Sequence, residues 1–267
     1  MARHLLLFLV FAPIMGFSQG NLLPKFIETT PEGNLELAHV TVGNFLAAQQ
    51  EKMCAAKSDV KFLKSMVNEA HKKFLKSYKS YSRFNELFET GHYDCLTGTA
   101  FFSLVLESLQ FDYKIIETNY HIFLLIETRE GNVLLETTDR LFGFKTHPQE
   151  VAKSLDAYRK NQLTSTSSQN RTYYRYQVNL FREVKSNQLT GLLYFNQAVV
   201  AFNNHEWIAC VDRLEKAKYN YDNPRVEELS EILANSIAFS NLDEKVKQSL
   251  LIQLGQLATE FQILAIR

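Results

Sequence analysis

The chain lacks any excess of charge: 29 lysines and arginines balance 29 aspartates and glutamates over 267 residues. No basic block stands out to bind nucleic acid and no acidic tail to bind a charged partner, so nucleic acid is not an expected partner. Past the first residues, no run is long and apolar enough to cross a bilayer. Cysteine is scarce. Cys54, Cys95 and Cys210 are the only three, an odd number, so at least one thiol stays unpaired. A metal set built from Cys95, His92 and His121 lacks the paired ligand spacing of a zinc site. No acidic loop reads as a calcium site. No metal and no cofactor is therefore expected.

What is present begins with a leader. Arg3 and His4 precede the apolar run Leu5 to Met15, and Gly16-Phe17-Ser18-Gln19 follows. That is the order of a secretory signal peptide, with cleavage expected after Ser18. No cysteine follows the run to take a lipid anchor. Residues 1–18 are thus read as a signal peptide and the mature protein as exported, periplasmic or secreted, with no membrane attachment after cleavage. An oxidising destination permits disulfides. Cys54 and Cys210 both fall within helical patterns, however, and read as small buried core residues rather than a bridge. Cys95 is left free either way.

Residues 20 to 34 read as an extended lead-in, broken by Pro24, Pro31 and Gly33. A helix is expected from about Leu35 to Ala56, with Leu37, Val40, Phe45 and Leu46 as its apolar face. A second is expected from about Asp59 to Tyr81, burying Val60, Phe62, Leu63, Met66, Phe74 and Leu75 beneath a solvated lysine-rich face. A short helix or turn over Phe84 to His92 leads to a helix from Cys95 to about Gln110. The period then changes. Tyr113–Glu117, Tyr120–Glu127 and Val133–Thr137 read as strands, the last two joined by a turn at Gly131 into an antiparallel hairpin. Pro148 opens a helix to about Lys160. The polar stretch Thr164 to Asn170 is the best linker, and Tyr173 to Val184 fits strand or helix. Four helices close the chain: Leu192–Asn203, Trp207–Tyr219, Arg225–Ser240 and Glu244–Leu264. Helices followed by antiparallel sheet make the fold class α+β, divided as a core over 19–162, a linker over 163–187 and a helical module over 188–267.

The chemistry gathers in one stretch: Tyr93-Asp94-Cys95-Leu96-Thr97-Gly98, then Tyr120-His121-Ile122-Phe123, then Leu135-Glu136-Thr137-Thr138-Asp139. Cys95 opens a helix that Asp94 or Thr97 is placed to cap, and a helix N-terminus favours a thiolate. A histidine in reach of a thiol activates it, and an acid behind the ring fixes the ring's tautomer and orientation. His121 stands 26 residues on, in a strand. Glu136 and Asp139, at the end of the next hairpin strand, are the two candidate acids.

These three blocks resemble those of the transglutaminase-like superfamily, over about residues 84 to 140. The resemblance implies a papain-like core, Cys95 as nucleophile and His121 as base. Glu136-Thr137-Thr138 aligns with the family's Asp-Pro-Thr ending, so Glu136 stands for the aspartate, with Asp139 as the alternative orienter. Ile122-Phe123 replaces the family's tryptophan beside the histidine. The activity implied is thiol hydrolysis or acyl transfer on amide bonds of peptide or protein substrates; a catalytically inactive scaffold is the alternative. Leu193-Tyr194-Phe195-Asn196-Gln197-Ala198, with Trp207, Cys210, Leu214 and Ala217, is similar to a tetratricopeptide repeat. That similarity implies a protein partner for the C-terminal helices; too few repeats to stand alone, they are expected to pack on the core, or on each other, as a small cap.

Overall fold

A computed structural model of the protein describes residues 22–30, 32–160 and 180–264. The expected signal peptide over 1–18 and the expected linker stretch over 164–170 lie outside these residues. Three helices come first: α1 (Leu22–Glu28), α2 (Leu35–Cys54) and α3 (Asp59–Lys73). Helix α1 replaces the extended lead-in expected there. Pro24 sits in its first turn, where a missing N–H breaks no helical bond. Asn34 caps α2 by accepting the Leu37 N–H at 2.9 Å. The buried face of α2 is Ala38, Val42, Phe45 and Gln49, while Leu37 and Val40 are exposed. The correction follows from helical spacing: the row through Leu37 and Val40 runs on to polar Asn44, whereas the row through Ala38 runs on to Val42 and Phe45. Cys54, the last residue of α2, is exposed rather than buried. Helix α3 buries Phe62, Leu63, Met66, Val67 and Ala70. It stops at Lys73 rather than Tyr81, because β1 (Ser77–Tyr78) pairs in parallel with β2 (His92–Tyr93). The short α4 (Glu86–Glu89) lies between them.

Helix α5 (Cys95–Ser108) then enters the middle of the protein, with Ala100, Phe101, Phe102, Val105 and Leu106 fully buried. Phe101 meets the rings of Phe45, Phe74 and Phe88 at centroid distances of 5.1 to 6.3 Å. A fully buried phenylalanine contributes about 1.5–3 kcal/mol, so this cluster ties α5 to α2 and to the end of α3.

The sheet contains β3 (Tyr113–Thr118), β4 (Ile122–Thr128), β5 (Gly131–Leu135), β6 (Phe144–Lys145) and β7 (Phe181–Val184), in the order β6-β5-β4-β3-β7. Every pairing in it is antiparallel. The fold is α+β. The ambiguous segment from Tyr173 ends in β7, on the outer edge of β3; its residues up to Asn179 lie outside those described. Alternate residues of a strand face opposite ways, and the sheet is covered on both sides. Ile115, Ile122, Leu124, Ile126, Val133 and Leu135 join the main core. On the opposite face Ile116, Phe123 and Leu134 pack against Val151 and Tyr158 of α6 (Pro148–Arg159).

Helices α7 (Gln188–Asn203), α8 (Trp207–Asn220), α9 (Pro224–Ala238) and α10 (Glu244–Leu264) finish the chain. They match the four helices expected. Helix α7 packs on α8 and also on α5 and α1. Cys210 is buried, as expected, with its thiol directed at the Ala198 carbonyl at 3.2 Å. Burial pushes that thiol up to about 12. The helices are also locked to the sheet by charge. Glu117 of β3 is buried and accepts from Arg182 at 2.9 Å, from Arg225 at 3.1 Å and from the Tyr221 hydroxyl.

Candidate active site

Cys95 is the first residue of α5 because Asp94 caps the helix. Asp94 Oδ1 accepts the Thr97 N–H at 2.8 Å, and Thr97 Oγ1 accepts the Asp94 N–H at 2.9 Å. Of the two candidate caps, both act, in a reciprocal capping box whose loss costs about 0.5–2 kcal/mol. Burial pushes the Asp94 carboxyl up to about 6, against the hydrogen bonds that favour its charge. The Cys95 N–H, at the first helical position, has no acceptor within the helix. Gly98 lets this first turn close on the segment after β5: a Cβ there would stand 2.6 Å from Thr137 Oγ1.

That closure brings the helix start to one end of the sheet, where β4 begins and β5 ends. His121 stands one residue before β4 rather than inside a strand. Its backbone is held on both sides by Thr118: the His121 carbonyl accepts the Thr118 N–H at 2.7 Å, and the His121 N–H donates to Thr118 Oγ1 at 3.1 Å. Nε2 of the ring forms an ion pair with Glu136 Oε2. The Cys95 sulfur is near enough to the same ring to bear on its titration. Burial opposes charge on the ring, but the hydrogen bonds and charges of Cys95 and Glu136 outweigh it and raise the His121 pKa to about 10.

Glu136 follows β5, and its N–H donates to the Gly143 carbonyl at 2.8 Å, closing the β5–β6 turn. Gly143 has to be glycine, since a Cβ would fall 2.1 Å from the Glu136 carbonyl. Continuing the register in which Leu124 faces Leu135 sets Glu136 beside Phe123, on the same face as His121. Glu136 Oε1 accepts the Thr138 N–H at 2.8 Å and the Thr138 hydroxyl at 2.6 Å. Burial works to raise its pKa; His121 and Thr138 outweigh it and hold the carboxyl below the ordinary value. Asp139, the other candidate acid, uses Oδ1 to accept the N–H groups of Leu141 at 3.2 Å and Phe142 at 2.9 Å. The structure thus brings Cys95, His121 and Glu136 together and leaves Asp139 as the cap of its own turn. His92 is turned to Thr90 Oγ1 at 3.0 Å. Among the described residues no group of three His, Cys, Asp or Glu is placed to hold a metal ion.

Sequence reasoning missed Tyr158. Its ring stacks on His121 at 5.7 Å and 23° and on Phe123 at 4.5 Å and 26°. Its hydroxyl donates to Glu136 Oε2 at 3.3 Å. The signal for it was present as the helical spacing Val151, Leu155, Tyr158 in α6, which points a tyrosine inward and obliges its hydroxyl to find a partner. Tyr120, next to His121, and Leu141 and Phe142, in the turn that Asp139 caps, are exposed apolar residues. Comparison with known proteins gives no matching family model, no matching curated protein and no matching solved structure.

Proposed function

We propose that this chain is an exported thiol hydrolase or acyltransferase of the transglutaminase-like type, with a papain-like core, acting on amide bonds of peptides or proteins through Cys95, His121 and Glu136. Helices α7–α10 serve in this reading as a tetratricopeptide-like module for a protein partner. The observation that carries it is His121 Nε2 paired with the Glu136 carboxylate, with Cys95 near the same ring at the capped start of α5.

The chemistry follows from that placement. The sulfur attacks the amide carbonyl and a C–S bond forms. The Cys95 N–H, at the helix start, is a donor for the developing oxyanion. His121 gives its proton to the departing nitrogen as the C–N bond breaks, leaving a thioester and a free amine. The neutral ring then takes a proton from water or from a second amine, which attacks the thioester. The sulfur leaves, and the acid or the new amide departs. Glu136 keeps the ring in one tautomer and balances its charge. Tyr158 covers the ring face.

Alkylation tests the reading. Iodoacetamide near pH 6, followed by mass spectrometry of the cysteine peptides, is expected to modify Cys95 about 10²-fold faster than free cysteine, which is almost wholly protonated there. Cys54 is exposed and serves as the internal reference. If Cys95 reacts no faster than Cys54, the site is not an activated thiol and the core is a scaffold.

A further inference from the structure

The turn that presents His121 is held from the far end of the chain. Arg225, in the first turn of α9, directs Nη2 at the Thr118 carbonyl at 3.1 Å and at the Asn119 carbonyl, and Nη1 at Glu117 Oε1 at 3.1 Å. Its side chain is only 11% exposed. A cation in the first turn of a helix works against the helix dipole, so this arginine does not serve α9. Its own N–H is fixed by the Asn223 side chain at 2.9 Å, which sets the direction in which it leaves the helix. Thr118 is the residue that grips both sides of the His121 backbone. The chain of contacts therefore runs from α9, through two carbonyls, to the imidazole that faces Cys95, Glu136 and Tyr158.

We propose that Arg225 is a positioning residue for the thiol reaction: by holding the Thr118 and Asn119 carbonyls it sets His121 against Cys95 and Glu136, so that the C-terminal helices complete a site whose reacting groups all lie in the core. The proposal rests on the thiol reading above. Arg182 is the built-in control. It too pairs with Glu117, at 2.9 Å, but its other contacts are the Asp222 carbonyl at 3.4 Å and the Tyr221 ring at 4.8 Å, none of them on the His121 turn.

The test measures Cys95 alkylation by iodoacetamide near pH 6 and near pH 10 in the full chain, comparing wild type with Arg225→Gln and Arg182→Gln. A displaced ring loses its hold on the sulfur, and a shift of about 1 Å is enough to cost about tenfold or more. Arg225→Gln is expected to slow the reaction at pH 6 by that factor and leave it within about twofold at pH 10, where any thiol is ionised. Arg182→Gln is expected to leave both rates within about twofold. An unchanged rate in Arg225→Gln overturns the proposal, as does equal slowing in both variants. Should Arg225→Gln not fold by circular dichroism, Arg225→Lys makes the same comparison, since it keeps the cation but not the forked geometry. Failure of both to fold overturns the proposal and makes Arg225 purely structural. A wild-type Cys95 with no excess reactivity at pH 6 instead overturns the thiol reading, and is distinguishable from all of these.

Discussion

Two glutamates, Glu117 buried in β3 and Glu136 partly buried just after β5, are both paired, and they do opposite things. Glu117 faces two guanidinium groups and a tyrosine hydroxyl. A guanidinium keeps its proton at any pH a protein survives, so that cluster is permanently charged and moves no proton. Glu136 also receives a tyrosine hydroxyl, from Tyr158, but its cation is an imidazole, and a sulfur lies near that ring. An imidazole exchanges its proton and a sulfur forms bonds. Burial and pairing alone therefore do not mark a reactive site. The identity of the cation and of the group behind it does.

The largest effect expected from separating the two clusters is on stability. Glu117→Gln leaves two partly buried arginines, Arg182 and Arg225, without their carboxylate, and the cost approaches that of breaking a buried pair, about 3–5 kcal/mol. Urea unfolding measures it, and a loss below about 1 kcal/mol, as for a surface pair, would place Glu117 among ordinary exposed ion pairs. The matching change at the other cluster is His121→Asn. It is expected to keep the fold, since the His121 side chain is not fully buried, and to lower Cys95 alkylation at pH 6 by about 10²-fold, the shortfall of an ordinary thiol. Equal rates in mutant and wild type would remove the distinction between the clusters.

Titration sharpens the contrast. His121 has its pKa raised from 6.5 to about 10, so the stability it adds is complete below 6.5 and is lost as pH rises through about 10. Glu136 has its pKa lowered, so the stability it adds is present above its ordinary value of 4.5 and is lost as pH falls through its folded value. Melting curves at pH 6, 8 and 10 should therefore fall more steeply in wild type than in His121→Asn; parallel slopes would show that the ring does not carry the linkage. The smallest effect belongs to Tyr158→Phe. It keeps the stack on His121 and removes one hydrogen bond to Glu136, a loss of about 0.5–1.5 kcal/mol. Alkylation at pH 6 should slow by no more than about tenfold, and a larger drop would make the tyrosine more than a prop.

Much of this was legible along the chain because it is local. Asp94 and Thr97 announce a helix start, and the two-residue turn before Gly131 announces a hairpin. Asn223-Pro224 opens α9, with Pro224 at its first position. The choice between Glu136 and Asp139 was not legible, since both follow the same strand. Register and the Gly143 contact decided it by leaving Asp139 to its turn. The face of α2 was misread because Leu37 and Val40 are more apolar than Ala38, while the row of residues through Ala38 is the one that meets a neighbour. Tyr158 and Arg225 were invisible as site residues, the first lying 37 residues and the second 104 residues beyond His121.

By itself the sequence determined the order of helices and strands, the capped helix at Cys95 and the presence of a thiol, an imidazole and two acids within one short stretch. Capping, periodicity and turn chemistry act over a few residues, so they are written in neighbours. Only the tertiary structure decided which acid meets the ring, what stacks over it and which distant arginine holds its turn. Those contacts depend on how α6 and α9 pack against the sheet, and packing joins residues that no local pattern links.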